Sequence, residues 1–162
     1  AFEPVPDNVH CWHENLATTK NVTLYQCALG DDTKPLCMEQ VDAVNSGSWE
    51  VVESSNKQVT QCLLDSFCLQ DVDYIKFDIQ NYEPKALLGA VKTIYRDKPI
   101  IQIEMSTDRC IKLAGGLLCK LGYAPVEQKK DDVIWKFVDV YDKDYVILLY
   151  EGTTNHVMPI LG

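Results

Sequence analysis

The sequence predicts an α/β fold: a doubly wound, mostly parallel sheet that ends in an antiparallel hairpin. Three observations carry this. Short apolar strands alternate with amphipathic helical segments along the chain. The strands are continuous apolar runs, as strands covered on both faces are. Two of them, 73–79 and 100–104, end on a carboxylate, Asp78 and Glu104, where ligands of such sheets bind.

In chain order, residues 7–16 read as a helix. Asp7 or Asn8 is placed to cap it, and Val9, Trp12 and Leu16 share a face. Residues 22–29 are β-branched and aromatic and stop at Gly30-Asp31-Asp32, so they read as a strand and a turn. Residues 34–58 are polar and irregular, with a loop at 45–48 and a short strand pair at 36–38 and 49–52. Residues 59–67 are mixed. The strand at 73–79 is followed by a helix over 83–95, with Pro84 in its first turn and Leu87, Ala90, Val91 and Ile94 as its apolar stripe. Lys98-Pro99 turns the chain into the strand at 100–104, and a helix over 107–121 stops at Gly122. Residues 133–138 and 145–150 are the closing hairpin, joined by a short link at 141–144.

The 162 residues make one domain, 1–162, with 46% hydrophobic and 24% charged residues. The net charge of −9 comes from 15 basic against 24 acidic residues and leaves no cationic stripe for a phosphate backbone, so nucleic acid is not an expected partner. No apolar run reaches the ~20 residues of a membrane helix. Seven cysteines without a CxxC pair fit neither a zinc ribbon nor a thioredoxin motif. Most sit in apolar stretches and read as buried thiols. Their odd, unpaired-looking set favours a cytoplasmic setting, although one pairing stays open. His10 and His13 share a helix face but lack further ligands, so no metal site is expected. No Gly-x-Ser-x-Gly elbow, phosphate loop or His-Glu-x-x-His motif occurs.

Several segments resemble one family. Phe2-Glu3-Pro4 followed by Asn15-Leu16 and Asn21-Val22 resembles the opening of FkbM-type methyltransferases. Cys27-Ala28-Leu29-Gly30 is similar to their next strand and turn, and 59–65 to their "V-x-T-x-x-L-D" stretch. The densest resemblance is Val-Asp-Tyr-Ile-Lys-Phe-Asp-Ile-Gln-Asn-Tyr-Glu at 72–83 with Leu87-Leu88-Gly89-Ala90; 99–104 and 121–123 continue it. The resemblance covers roughly residues 1–138. It implies the class I methyltransferase (Rossmann-like) sheet, S-adenosylmethionine as cofactor, and a small-molecule or glycan acceptor methylated on a hydroxyl.

Carried over, Glu3 would accept hydrogen bonds from the cofactor ribose, with Ala28 and Leu29 beside it. Asp78 and Lys76, two residues apart on one side of a strand, would be catalytic. Glu104 and Asn81 would contact the substrate. For Asp78 a turn-capping role stays open, and for Lys76 an ion pair with a neighbouring carboxylate.

Three departures accompany the resemblance. The family's first strand and glycine-rich loop would precede Phe2, so either the chain is a fragment or it is an eroded methyltransferase fold used for contacts. In the second case 157–161 would be able to fill the empty slot, and an open sheet edge would invite a protein partner. The family's Glu-Gly is Gln80-Asn81 here; asparagine tolerates the left-handed backbone that the glycine adopts. Residues 139–162 match poorly.

Overall fold

The structure, a computed structural model, describes residues 1–138. Helix α1 (Pro6–Leu16) leads to β1 (Ala28–Leu29), then to β2 (Leu36–Gln40), β3 (Trp49–Val52), β4 (Gln58–Val59) and β5 (Gln61–Cys62). A 3-10 turn (Leu64–Phe67) precedes β6 (Tyr74–Phe77), α2 (Glu83–Leu88), α3 (Val91–Asp97) and β7 (Ile100–Glu104). The helical segment α4 (Asp108–Cys110) runs through a π turn (Ile111–Gly115) into α5 (Gly116–Lys120), followed by β8 (Tyr123–Lys129) and β9 (Asp132–Phe137).

The sheet is mixed. Strands β6 and β7 pair in parallel, with Tyr74 opposite Ile100 and Phe77 opposite Ile103. Strand β9 is antiparallel to both β7 and β8, giving the order β6-β7-β9-β8. A second parallel pair joins β1 to β5. A parallel bridge joins Phe2 to Tyr25, where the Tyr25 N–H donates to Ala1 O and the Glu3 N–H to Tyr25 O. The expected strand pair within 34–58 forms as β2 and β3, and β4 adds to the other edge of β2. The mostly parallel sheet expected from the apolar strands is thus limited to the β6-β7 and β1-β5 pairs and the Phe2–Tyr25 bridge, while β2 with its neighbours and β9 with its neighbours pair antiparallel.

Strand β9 has β7 on one edge and β8, the segment just before it, on the other. The other half of the expected hairpin, 145–150, lies outside the described residues, as do His156 and 157–161. Strand β8 escapes sequence reading because Pro125 sits inside it. As an edge strand it tolerates the missing donor, with a register shift between Pro125 and Glu127. The strand expected over 22–29 shrinks to the Tyr25 bridge and β1. Helix α1 begins at Pro6 with Val5 as its cap residue, not Asp7 or Asn8, and Glu3 Oε1 accepts the Val5 N–H at 2.8 Å.

The core lies between the β6-β7-β9-β8 sheet and its helices. Phe77, Leu87, Ile94, Ile101, Ile103 and Leu118 are sealed from solvent there. The helix expected over 83–95 is two helices, and the break falls at Gly89-Ala90. Gly89 has ordinary φ and ψ of −75° and −2°, so its role is space. A Cβ there would stand 1.9 Å from the Gly30 carbonyl oxygen. The Gly89 carbonyl leaves the helical ladder to accept the Asp65 N–H at 2.9 Å. The Asp65 carboxylate then caps the new helix, accepting the N–H groups of Lys92 (3.0 Å) and Thr93 (2.8 Å) and the Thr93 hydroxyl (2.8 Å).

Gly89→Ala is therefore expected to cost at least about 2 kcal/mol by urea denaturation, since overpacking here meets backbone rather than a mobile side chain. Gly116→Ala is the control. It is helical and its added methyl meets nothing within 4 Å, so stability should hold or rise by about 0.4–1 kcal/mol.

Candidate functional site

Two neighbouring cavities sit around the carboxyl end of β6. The first holds about 420 Å³ and is walled by Glu3, Ala28, Leu29, Lys76 and Asp78, with Phe2 and Val5 adding apolar surface. Five expected site residues, from three separate segments, thus line one space. The second holds about 600 Å³ and contains Asn81 in its wall. Val51, Gln80 and Tyr82 belong to both linings, so the cavities are separated by one layer of side chains. Glu104 is in the lining of neither.

The partition wall is the turn after β6. Gln80 (φ 55°) and Asn81 (φ 68°) are both left-handed. Asparagine suits this backbone as expected, while a glutamine there is uncommon. Two features absent from the sequence reading hold the turn. Glu83 is almost fully buried at the start of α2, where its Oε1 accepts the Ile79 N–H at 2.9 Å and its Oε2 accepts the Cys110 thiol at 3.6 Å. The Asn81 Oδ1 accepts the hydroxyls of Thr107 (2.9 Å) and Ser106 (3.2 Å). The Thr107 hydroxyl also accepts the Cys110 N–H at the head of α4.

Lys76 Nζ lies 2.8 Å from Asp78 Oδ2, with both side chains nearly half exposed (48% and 43%). The expected shared strand face is real, and so is the ion pair. The hydrogen bond to Asp78 raises the Lys76 pKa, partly opposed by desolvation. The stability that the raised Lys76 pKa represents is therefore present at neutral pH and is lost as pH rises through the lysine range. Glu104 closes β7 among carboxylates. Burial, then Asp78, Glu83, Asp132 and Asp131, raise its pKa. All seven cysteines are free thiols, and Cys27 and Cys110 are buried. Burial first, then Glu83, pushes the Cys110 pKa up to about 12. Burial first, then Cys62, does the same for Cys27. Cys11, Cys68 and Cys119 are exposed, so the expectation that most cysteines are buried fails, at Cys119 despite its apolar neighbours. Among the described residues no group of three or more His, Cys, Asp or Glu side chains is arranged to hold a metal, and no helix is long and apolar enough to cross a membrane.

A crystal structure of methyltransferase FkbM from Methylobacillus flagellatus KT superposes with a TM-score of 0.62 at 16% sequence identity, covering 84% of this chain and 35% of that one. This defines the class as a methyltransferase-like α/β fold, of which the chain spans about a third of that neighbour's length. The sequence model of the methyltransferase FkbM domain matches residues 1–123, and the chain belongs to that family. No curated protein sequence matches it.

Two outcomes follow from the charges. Glu104→Gln should raise Tm at pH 7, because the raised pKa marks a carboxylate whose ionised form the fold disfavours. The gain should vanish as pH falls below the ordinary carboxylate value of about 4.3. Lys76→Gln should cost less than about 1 kcal/mol in a neutral-pH denaturation, as half-exposed pairs do.

Proposed function

We propose that this chain forms the methyl-donor pocket and part of the acceptor pocket of an S-adenosylmethionine-dependent O-methyltransferase acting on a hydroxyl of a sugar or natural product. In this reading residues 1–162 are one domain of the doubly wound class I kind. The observation that carries it is the convergence of Glu3, Ala28, Leu29, Lys76 and Asp78 on one cavity of about 420 Å³, a size usual for cofactor sites. The family membership supports it.

The donor set fits the cofactor. Glu3 Oε1 is engaged by the Val5 N–H, which leaves Oε2 to accept from a ribose hydroxyl. Phe2, Val5 and Leu29 offer apolar surface to the adenine, and the Asp78 and Glu3 carboxylates suit a cationic sulfonium. When bound, the cofactor would supply an electrophilic methyl group. The rest belongs to the protein. Methylation of a hydroxyl releases one proton, and Asp78 Oδ1, the oxygen that Lys76 does not engage, is the acceptor for it. Alignment and water exclusion in the paired cavities supply most of the rate. In this reading Asn81, held by Thr107 and Ser106, faces the acceptor side, while Glu104 stands outside both cavities.

A second reading has one observation in its favour: Asp78 is already paired with Lys76 at 2.8 Å. In that case the chain is a methyltransferase-like interaction module, whose β6, hydrogen-bonded to β7 on one edge, would take a partner chain on the other. Calorimetric titration with S-adenosylhomocysteine separates the two. The enzyme reading expects micromolar binding, weakened about tenfold or more by Glu3→Ala through loss of a charge-assisted hydrogen bond. A folded chain that takes up no ligand would favour the interaction module.

A further inference from the structure

We propose that the second cavity is a subsite for an anionic sugar, one that carries a carboxylate or a phosphate. This rests on the reading of the neighbouring cavity as the methyl-donor pocket, and it specifies the acceptor class for that same site.

The argument is electrostatic and geometric. The chain has 24 acidic against 15 basic residues, yet the wall of this cavity inverts that balance. It contains Lys85, Arg109, Lys112 and Lys120 against one carboxylate, Glu50. Lys85 is engaged by Asp31 at 2.6 Å. Among the described residues, Arg109, Lys112 and Lys120 make no ion pair within 4.0 Å. Three like charges held on one helical wall repel one another, and a bound anion relieves that repulsion. The arrangement concentrates an anionic ligand against the field of an otherwise acidic protein.

The wall also has the make-up of a sugar site. Leu88, Leu113 and Leu117 form an apolar floor, with Leu88 and Leu113 about half exposed (48% and 49%). Asn81 lines the cavity, its Oδ1 accepts from Ser106 and Thr107, and its two amide N–H donors have no partner among the described residues. Gly116 leaves open space where a side chain would stand; its Cβ would meet nothing within 4 Å. The cavity's volume of about 600 Å³ admits more than one sugar ring. Val51, Gln80 and Tyr82 line the donor pocket as well, so a sugar seated here is adjacent to that pocket.

The test uses the chain with glucuronic acid, glucose 6-phosphate and glucose as probes, read by amide chemical shifts at Thr107 and Gly116 and by titration at two salt concentrations. The expected result is saturable binding of at least one anionic sugar, at least tenfold tighter than glucose and weakened by salt. The two anionic arms tell a sugar acid from a sugar phosphate. Arg109→Gln with Lys112→Gln should weaken that binding at least tenfold. Gly116→Leu, which fills the cavity from its open side, should abolish it. Lys129→Gln with Lys130→Gln, outside the cavity, should leave it unchanged.

Equal binding of glucose, binding insensitive to both groove variants, or no saturable binding of any probe would each overturn the proposal. Binding of S-adenosylhomocysteine is measured in parallel on the same samples. Its presence without anionic-sugar binding removes the acceptor inference alone. The reverse pattern keeps an anion site and removes the donor-pocket reading.

Discussion

The close approach of Gly89 to Gly30 sets how the two halves of this molecule join. Strand β1 with β5 forms one half and the β6-β7-β9-β8 sheet with its helices forms the other. The end of α2 reaches β1 at a spacing that admits no Cβ. On the far side of Gly30 stands Gln61, almost fully buried, whose side-chain nitrogen would lie 1.9 Å from a Cβ on Gly30. Strand, glycine and helix are thus stacked without slack. The consequence reaches into secondary structure. A helix that continued through Gly89 would drive a backbone turn into β1, so it breaks, and Asp65 crosses over to cap the restart. This buries Leu87 and Ile94 on either side of the break.

A second constraint works from inside the turn after β6. Burying a carboxylate is costly unless hydrogen bonds compensate, and Glu83 is compensated by the Ile79 N–H and the Cys110 thiol. These contacts tie the turn to α2 and α4 together. The left-handed pair Gln80-Asn81 is over-determined in this way, as strained backbone at functional sites usually is. That turn is the partition between the two cavities, so a buried acid outside both of them helps fix where Asp78 and Asn81 stand.

The charge distribution divides the surface by role. Carboxylates gather at the ends of β6, β7 and β9, where Lys76 is the neighbouring cation and Glu104 is held partly against its ionised form. The helical stretch from Asp108 to Lys120 carries the opposite sign on the face that lines the larger cavity. A cavity walled by Glu3 and Asp78 beside a second walled by cations is the layout that the proposed cationic methyl donor and anionic acceptor call for.

Much of this was legible in the sequence, for reasons that can be stated residue by residue. Apolar runs bounded by turn residues located β6 and β7. The 3.6 periodicity located α1 and the segment 107–121, because burial on one face imposes those periods whatever the neighbours are. The strand pattern placed Glu3, Asp78 and Glu104 at the carboxyl ends of strands, but that Ala28, Leu29 and Lys76 join Glu3 and Asp78 at one site was legible only through the resemblance to a family, and Glu104 stands outside that cavity. The helix break was not legible, because Gly89 is unremarkable in its own φ and ψ and is required only by the position of Gly30. Strand β8 was hidden by Pro125, whose cost depends on whether a strand has one neighbour or two. Glu83 read as a helix-start residue, and only packing made it a buried clamp. The cationic wall was likewise spread over Lys85, Arg109, Lys112 and Lys120 and became a feature when α2 packed against the π turn between α4 and α5. The sequence by itself determined the elements whose cause is local, hydrophobic period and turn chemistry. The tertiary structure decided what depends on distance between remote segments: where a helix must stop, which edge a strand pairs with, and which charges face one another.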